Sequence, residues 1–235
     1  MKTALIMTYW ARHHNFNNLI RDLNSQTYKD FDLFIWNNNK SMGDSLNIKK
    51  EDLNGYSLYV HNNEKNIYGF GRFILANKLL TNKIDNFSGE DYDKIMFFDD
   101  DERLYSDCLS FFSINYQKQN YKGHWAFKIF STYQDRQRCK FGEEANYIGT
   151  GGCVLDPYVF SNMDFIKSVP EKFYCVEDIA LTLYCKKIGY KTTGLGKITP
   201  KLLEFIKDEN RLFSKLKYKY KNEAYEVLRN KYGVK

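Results

Sequence analysis

Proline is scarce in this sequence. Its three copies among 235 residues, Pro157, Pro170 and Pro200, exclude a Pro-rich linker. Cysteine is sparse too. Cys108, Cys139, Cys153, Cys175 and Cys185 are odd in number and show no C-x-x-C spacing. That pattern argues against a disulfide framework and a zinc site, and for a reduced, intracellular setting. Long apolar runs are missing: none approaches the roughly 18 residues that span a bilayer. The N-terminal MKTALIMTYW is interrupted by Arg12, His13 and His14 and lacks the h-region and cleavage site of a signal peptide. The expectation is a soluble, cytoplasmic protein. The four histidines, His13, His14, His61 and His124, fall at no metal-ligand spacing.

What is present is apolar and aromatic. Hydrophobic residues make up 43% and aromatics 17%, enough for a sizeable core and too much for a disordered or collagen-like chain. The length fits one large domain, or one domain with a short appendage. The net charge of +6 is unevenly placed, because residues 201–235 carry ten Lys or Arg against five Asp or Glu. A near-neutral body over residues 1–200 and a basic appendage over 201–235 are therefore expected.

The first hundred residues alternate between two periods. Thr3 to Tyr9, Phe31 to Trp36, Tyr56 to Val60 and Lys94 to Phe98 read as buried strands. Asn15 to Gln26 and Gly71 to Leu80 read as helices, the first with Phe16, Leu19, Ile20 and Leu23 on one face. This order predicts an α/β/α sandwich around a mainly parallel sheet. Ligands of such sheets sit beyond the carboxyl ends of the strands. Three of those ends are polar here: Thr8-Tyr9, Asn37-Asn38-Asn39 and Asp99-Asp100-Asp101. Farther on, Trp125 to Phe130 reads as a strand and Arg136 to Glu144 as a polar loop. Tyr147 to Leu155 reads as a glycine-rich strand or turn, and Glu177 to Gly189 as a helix with acids in its first turn. Beyond Pro200 the spacing of Leu202, Leu203, Phe205, Ile206, Leu212, Phe213 and Leu216 predicts one or two amphipathic helices.

Four consecutive acids, Asp99 to Glu102, follow an apolar strand. Clustered carboxylates raise one another's pKa, and a divalent cation relieves that repulsion; the bland reading is a solvated acidic turn. The surrounding blocks favour the first reading, because together they resemble the family 2 group of inverting GT-A glycosyltransferases. The likeness begins at Leu5-Ile6-Met7-Thr8-Tyr9 and continues through Gln26-Thr27-Tyr28-Lys29-Asp30-Phe31. It then takes in Asn66, Gly69, Gly71 and Arg72, the D-x-D at Asp99-Asp100-Asp101, Gly149-Thr150-Gly151-Gly152 and finally Glu177-Asp178. These blocks keep the family's order over roughly residues 3–190.

The resemblance implies a GT-A fold that transfers one sugar from a nucleotide-diphosphate sugar to a hydroxyl of a glycan, lipid or protein, with inversion. It implies Mn²⁺ or Mg²⁺ as cofactor, Asp101 as direct metal ligand and Asp99 on the ribose or the metal. Asp178 matches the catalytic base, and Glu177 a residue that orients the loop or binds a sugar. Thr8, Tyr9, Asn37, Arg72, Asp99, Asp100, Gly151 and Gly152 match donor-binding positions, and Glu102 reads as a solvated neighbour. Asn37 stands where the family carries Asp for the uracil N3–H, so UDP is expected with guanine and thymine left open. Phe73 stands where members often carry Asn. Trp125 reads as an acceptor platform or a core tryptophan, and Cys175 and Cys185 as packing residues.

Two other classes compete. A sugar-nucleotidyltransferase would normally show a glycine-rich phosphate loop, and residues 8–18 contain no glycine. A non-enzymatic module could use the basic, tyrosine-rich stretch Lys215 to Lys221 on nucleic acid or anionic membrane. A near-neutral body with an acidic mouth disfavours nucleic acid, and leaves the tail as a helical cover or a peripheral membrane contact.

Overall fold

The structure is a computed structural model that describes residues 1–39, 41, 46, 48–198, 201–206 and 218–234. Strands β1 (Thr3–Tyr9), β2 (Phe31–Asn37), β3 (Leu58–Asn62) and β4 (Lys94–Asp99) pair in parallel in the order β3-β2-β1-β4. Side chains along β1 alternate between two cores. Leu5 and Met7 join Phe16, Leu19, Ile20 and Leu23 of α1 (His13–Asn24), whereas Ala4 and Ile6 join Phe73, Ala76 and Leu79 of α2 (Gly71–Leu80). The period of two along a strand, met by one helix on each face, produces the sandwich. Phe73 explains its own departure from the expected amide: it is fully buried among Phe97, Phe160 and Phe165.

The second half extends the same sheet. Its elements are β5 (Glu102–Leu104), α3 (Cys108–Asn115), β6 (Asn120–Gly123), β7 (Ala126–Ile129), β8 (Arg136–Arg138), β9 (Phe141–Glu144), β10 (Tyr147–Ile148), β11 (Cys153–Leu155), α4 (Asp164–Ser168), α5 (Glu177–Lys187), β12 (Lys191–Leu195), β13 (Leu203–Phe205) and α6 (Tyr218–Tyr232). The main sheet continues β4-β11-β6-β12-β9, with β11 antiparallel to both neighbours and β12 parallel to β6. Strands β10, β7 and β8 make a separate small sheet, and β13 pairs with β5. The Cys139, Cys153, Cys185, Cys108 and Cys175 thiols are free, and Cys185 is buried inside α5.

Two expectations need correction. Arg136 to Glu144 is not a loop but the strands β8 and β9, whose half-exposed polar side chains hide the alternation that would announce them. Leu203 to Phe205 is not helical. Backbone pairing with Glu102–Leu104 across about a hundred residues makes it a strand, which local spacing cannot show. Leu212, Phe213 and Leu216, with Lys215 and Lys217, lie outside the described residues. The helix beyond them, α6, sets Ala224, Tyr225, Leu228 and Tyr232 into the core cluster that also holds Ile179, Ala180 and Leu183 of α5.

Candidate functional site

The chain runs from β1 to β2 on one side and returns to β4 on the other, so the strand order reverses at β1. A cleft is expected at the carboxyl ends there. Register brings the polar ends together: Thr8 lies beside Trp36 and Asp99, Tyr9 beside Asn37, and Asn37 beside Asn62.

Arg72, from the first turn of α2, is the hub. Its side chain is only 3% exposed. Nη2 donates to Thr8 Oγ1 at 2.9 Å and to Asp99 Oδ1 at 2.5 Å, and Nε donates to the Gly69 carbonyl at 3.2 Å. Glu177 Oε1 is 4.0 Å away. Burial alone would lower the Arg72 pKa, but Asp99 and Glu177 outweigh it and hold the guanidinium charged. Its Nη1 is buried without a partner among the described residues.

The block Asn66 to Arg72 is built for this placement. Asn66 Oδ1 accepts from the Tyr68 amide at 2.8 Å, and Tyr68 takes a left-handed φ of 58°. Asn38 pins the same turn, accepting from the Ile67 amide at 3.0 Å and donating to the Tyr68 carbonyl at 2.9 Å. The two glycines then admit neighbours. A Cβ on Gly69 would lie 1.9 Å from Glu177 Oε1, and one on Gly71 would lie 2.2 Å from the Trp36 indole. Gly71→Ala is therefore expected to destabilise the fold by about 1–3 kcal/mol, because the buried indole must shift. A melting temperature within a degree of the parent protein would refute that packing.

The four acids divide by direction. Asp99, at the strand end, faces Arg72 and remains partly open. Asp100 turns away: Arg12 pairs with it, the Trp10 amide donates to it at 3.2 Å, and Asn15 holds its carbonyl at 2.8 Å. Burial raises its pKa against the pull of Arg12. It ties down the β1–α1 connection instead of lining the cleft. Asp101 Oδ2 lies 3.6 Å from Arg12 Nη2, and its carbonyl accepts from the Ile206 amide at 2.7 Å. Glu102 corrects the expectation of a solvated neighbour, because it is fully buried. Its Oε2 accepts from the Asp99 amide at 2.9 Å, while Oε1 has no partner among the described residues. Burial, then Asp99 and Asp101, push its pKa well up.

Gly151 and Gly152 do different work. A Cβ on Gly151 would meet Glu102 Oε1 at 2.6 Å and Asp99 Oδ2 at 2.9 Å, so only glycine lets both carboxylates approach the backbone this closely. Gly152 has φ +76° and donates to the Phe97 carbonyl at 3.0 Å, a turn position beneath the cleft.

Glu177 and Asp178 open α5 and point apart. Glu177 accepts from Thr150 Oγ1 at 3.3 Å beside Arg72. Burial, then the Asp178 charge, raise its pKa to about 8 despite Arg72. Asp178 Oδ2 accepts from the Tyr147 hydroxyl and Oδ1 from the Ile179 amide at 2.9 Å. Burial raises its pKa, whereas Tyr147 and the Lys221 charge from α6 oppose the rise.

Glu177 binds a proton in the folded chain at pH values where the unfolded chain does not. Its contribution to stability is thus full below pH ~4.5 and lost as pH rises toward 8, at up to about 1.4 kcal/mol per pH unit. Glu177→Gln, which mimics the protonated form, is expected to match the parent protein at pH 5 and melt higher at pH 9. Parallel melting curves across that range in EDTA would rule the shift out.

The remaining expected residues are accounted for by burial. The Tyr9 ring is 2% exposed and packs edge-on to Phe16 at 5.7 Å, so its ring belongs to the core. Asn37 is fully buried, with its amide donating to Asn62 at 2.8 Å and accepting from the Asn39 amide at 3.0 Å. Arg12, Thr150, Tyr147, Glu102 and Lys221 join the constellation without having been singled out as ligands. Arg12, Glu102 and Thr150 left traces in the break after the first strand, the acidic run and the glycine block, whereas Tyr147 and Lys221 act on Asp178 from 31 and 43 positions away.

Neither protein-family models nor curated proteins give a match to this sequence. Solved structures do. S. aureus TarS superposes over 100% of this chain and 44% of its own, with a TM-score of 0.58 at 14% identity. GalNAc-T7 with UDP, GalNAc and Mn²⁺ covers 83% of this chain and 42% of its own, at TM-score 0.54 and 9% identity. The Pyrobaculum calidifontis mannosyltransferase PcManGT with GDP-Man and Mn²⁺ covers 85% and 57%, at 0.53 and 8%.

The fold is GT-A. This GT-A chain spans less than two thirds of each of those three structures. Its β4 ends at Asp99 beside the strand-order reversal, and α5 brings Glu177 within 4.0 Å of Arg72. Among the described residues no helix is long and apolar enough to cross a membrane, and no three His, Cys, Asp or Glu are grouped to hold a metal by themselves.

Proposed function

We propose that this protein is a metal-dependent, inverting glycosyltransferase that moves a single sugar from a nucleotide-diphosphate sugar, a UDP-sugar first, to an acceptor hydroxyl. The observation that carries the reading is the Arg72 cluster. A buried guanidinium keeps one unpartnered N–H next to Asp99 and Glu177, and Gly69 and Gly151 let the Glu177, Asp99 and Glu102 carboxylates pack close to the backbone there. A diphosphate or donor sugar supplies the acceptor that this N–H lacks. The structural neighbours carry UDP or GDP-Man in their solved forms, which supports the same class of donor.

The donor set suits a hard divalent ion. Asp99 Oδ2 and the unpartnered Glu102 Oε1 lie side by side against Gly151, and Asp101 stands between these two acids in the chain. Asp101 and Asp99 would hold Mn²⁺ or Mg²⁺, with diphosphate and water oxygens completing the shell. When bound, the ion offsets the charge that gathers on the departing diphosphate. Asp178 takes the proton of the acceptor hydroxyl as its oxygen attacks the anomeric carbon, and the sugar–phosphate bond breaks with its electron pair going to the diphosphate. Tyr147 fixes the direction of that carboxylate. Arg72 orients Asp99 and Glu177, and Thr8 completes its grip.

The test is thermal unfolding with UDP-, GDP-, dTDP- and CDP-sugars in Mn²⁺, Mg²⁺ or EDTA. A ligand at a hundred times its Kd adds about 2.7 kcal/mol. One nucleotide should raise the melting temperature in a metal-dependent way, and Asp101→Asn should cancel the rise. No shift with any of them overturns the reading.

A further inference from the structure

The small sheet of β10, β7 and β8 holds residues that the donor site does not use. In register, Phe127 lies opposite both Tyr147 and Arg138, and Ile129 lies opposite Arg136. Side chains on a strand alternate, so one face carries Tyr147, Phe127, Arg136 and Arg138. Trp125, just before β7, extends the row, its ring parallel to that of Phe127 within 5°.

This wall adjoins both ends of the proposed reaction centre. Tyr147 bonds Asp178 at one end. At the other, the Phe205 ring lies 5.1 Å from Trp125, and the neighbouring Ile206 amide bonds the Asp101 carbonyl. Between them, the Trp125 carbonyl accepts from the Gly149 amide at 2.8 Å.

A neutral sugar stacks on open aromatic faces, but here guanidinium groups lie on them. Arg138 Cζ is 4.1 Å from the centre of the Trp125 ring. Arg136 Cζ is 4.1 Å from Tyr133 and 4.8 Å from Phe127. Stacking fixes the guanidinium plane, and Arg136 Nη1 also donates to the Tyr133 carbonyl at 3.1 Å. Arg138 is held further by His124, whose Nε2 and carbonyl accept from Nη2 at 2.7 and 3.1 Å. Burial and the Arg138 charge bring the His124 pKa down to about 3, so the ring is neutral, with Nδ1 3.0 Å from the Gly196 carbonyl and 3.3 Å from the Ile198 amide. The Arg138 Nε is nevertheless buried without a partner among the described residues. Lys221 of α6, 5% exposed, places its Nζ 5.9 Å from the Tyr133 ring that Arg136 also covers. The Lys221 charge also reaches Asp178, so the cations of this wall border the reaction centre.

We propose that this wall is the acceptor subsite and that the acceptor is anionic, with a phosphate or carboxylate near its reacting hydroxyl held by Arg136 and Arg138. The proposal rests on the glycosyl-transfer reading and names the acceptor's chemical class.

NMR titration of the full chain with glycerol 3-phosphate, glucuronate, glycerol and glucose tests it, with the Trp125 indole N–H as reporter. Both anions are expected to bind at least about tenfold more tightly than their neutral partners. Arg136→Gln and Arg138→Gln should each reduce that preference, and Arg138→Lys should retain part of it. A tighter phosphate probe indicates a phosphate-bearing acceptor, and a tighter glucuronate a uronic acid. Equal binding of anions and neutral sugars, no binding of either anion, or a preference that survives both Gln changes overturns the proposal. So does a loss of the nucleotide-sugar thermal shift in Arg136→Gln, because the arginine would then belong to the donor's diphosphate. These titrations contain no donor, so a failed nucleotide-sugar shift and a failed anion preference are separate results.

Discussion

Replacing Asp178 by Asn is expected to lower kcat for sugar transfer by about 10²–10⁴-fold, the usual contribution of a positioned general base. The amide keeps the shape of the carboxylate but cannot take up the acceptor's proton. The KM for the donor should stay within a few-fold, because Asp178 points toward Tyr147 and away from Arg72. Tyr147→Phe supplies the companion result. It removes a hydrogen bond that lowers the Asp178 pKa, so the acid limb of the pH–rate profile should move to higher pH with a smaller loss of kcat. Steady-state rates across pH 5–9 with the donor identified by thermal shift would measure both. If Asp178→Asn keeps more than about a tenth of the activity while Glu177→Gln loses most of it, the base is Glu177.

The second large effect is on folding. Arg72→Met should destabilise the protein by about 3–5 kcal/mol, because it strands Asp99 and the buried Glu177 without their shared cation. For a chain of this size that corresponds to a melting temperature lower by about 6–20 °C. Arg72→Lys should fall between the two, since a single ammonium cannot reach Thr8, Asp99 and the Gly69 carbonyl together. The loss should shrink at acid pH, where Glu177, raised to about 8 by burial, holds a proton and no longer needs the cation. Differential scanning calorimetry at pH 5 and pH 8 would check both statements. A change of less than about 1 kcal/mol would mean that Arg72 is not the internal counter-ion.

Much of this architecture was legible because its causes are local. Helix α2 runs from Gly71 to Leu80, as the spacing of Phe73, Ala76 and Leu80 requires. The first four strands lie within two residues of their apolar runs, and α1 is displaced by two residues. The polar strand ends met in one mouth because parallel pairing with crossover helices leaves all carboxyl ends on the same side. Where the cause was distant, the reading failed. Strand β13 exists through its partner β5, and β8 and β9 through theirs, so their own side chains carry no telling period. Glu102 looked like one more solvated acid, and only the approach of Gly151 and the Asp99 amide makes it a buried one.

The same division runs through the site. Sequence alone determined the parallel α/β frame, the run of acids that begins at the end of β4, the glycine-rich block ahead of Arg72 and the acidic start of α5. Each follows from side-chain period, backbone freedom or helix-end charge acting over a few residues. Tertiary structure alone decided direction. It turned Asp100 onto Arg12 and out of the cleft, spent the Asn37 amide on Asn62 and Asn39, and sealed the Tyr9 ring against Phe16. It also brought Tyr147 and Lys221 to Asp178 and laid Arg138 on Trp125. A side chain's facing, burial and charge partner depend on elements tens of residues away, and no local pattern encodes them.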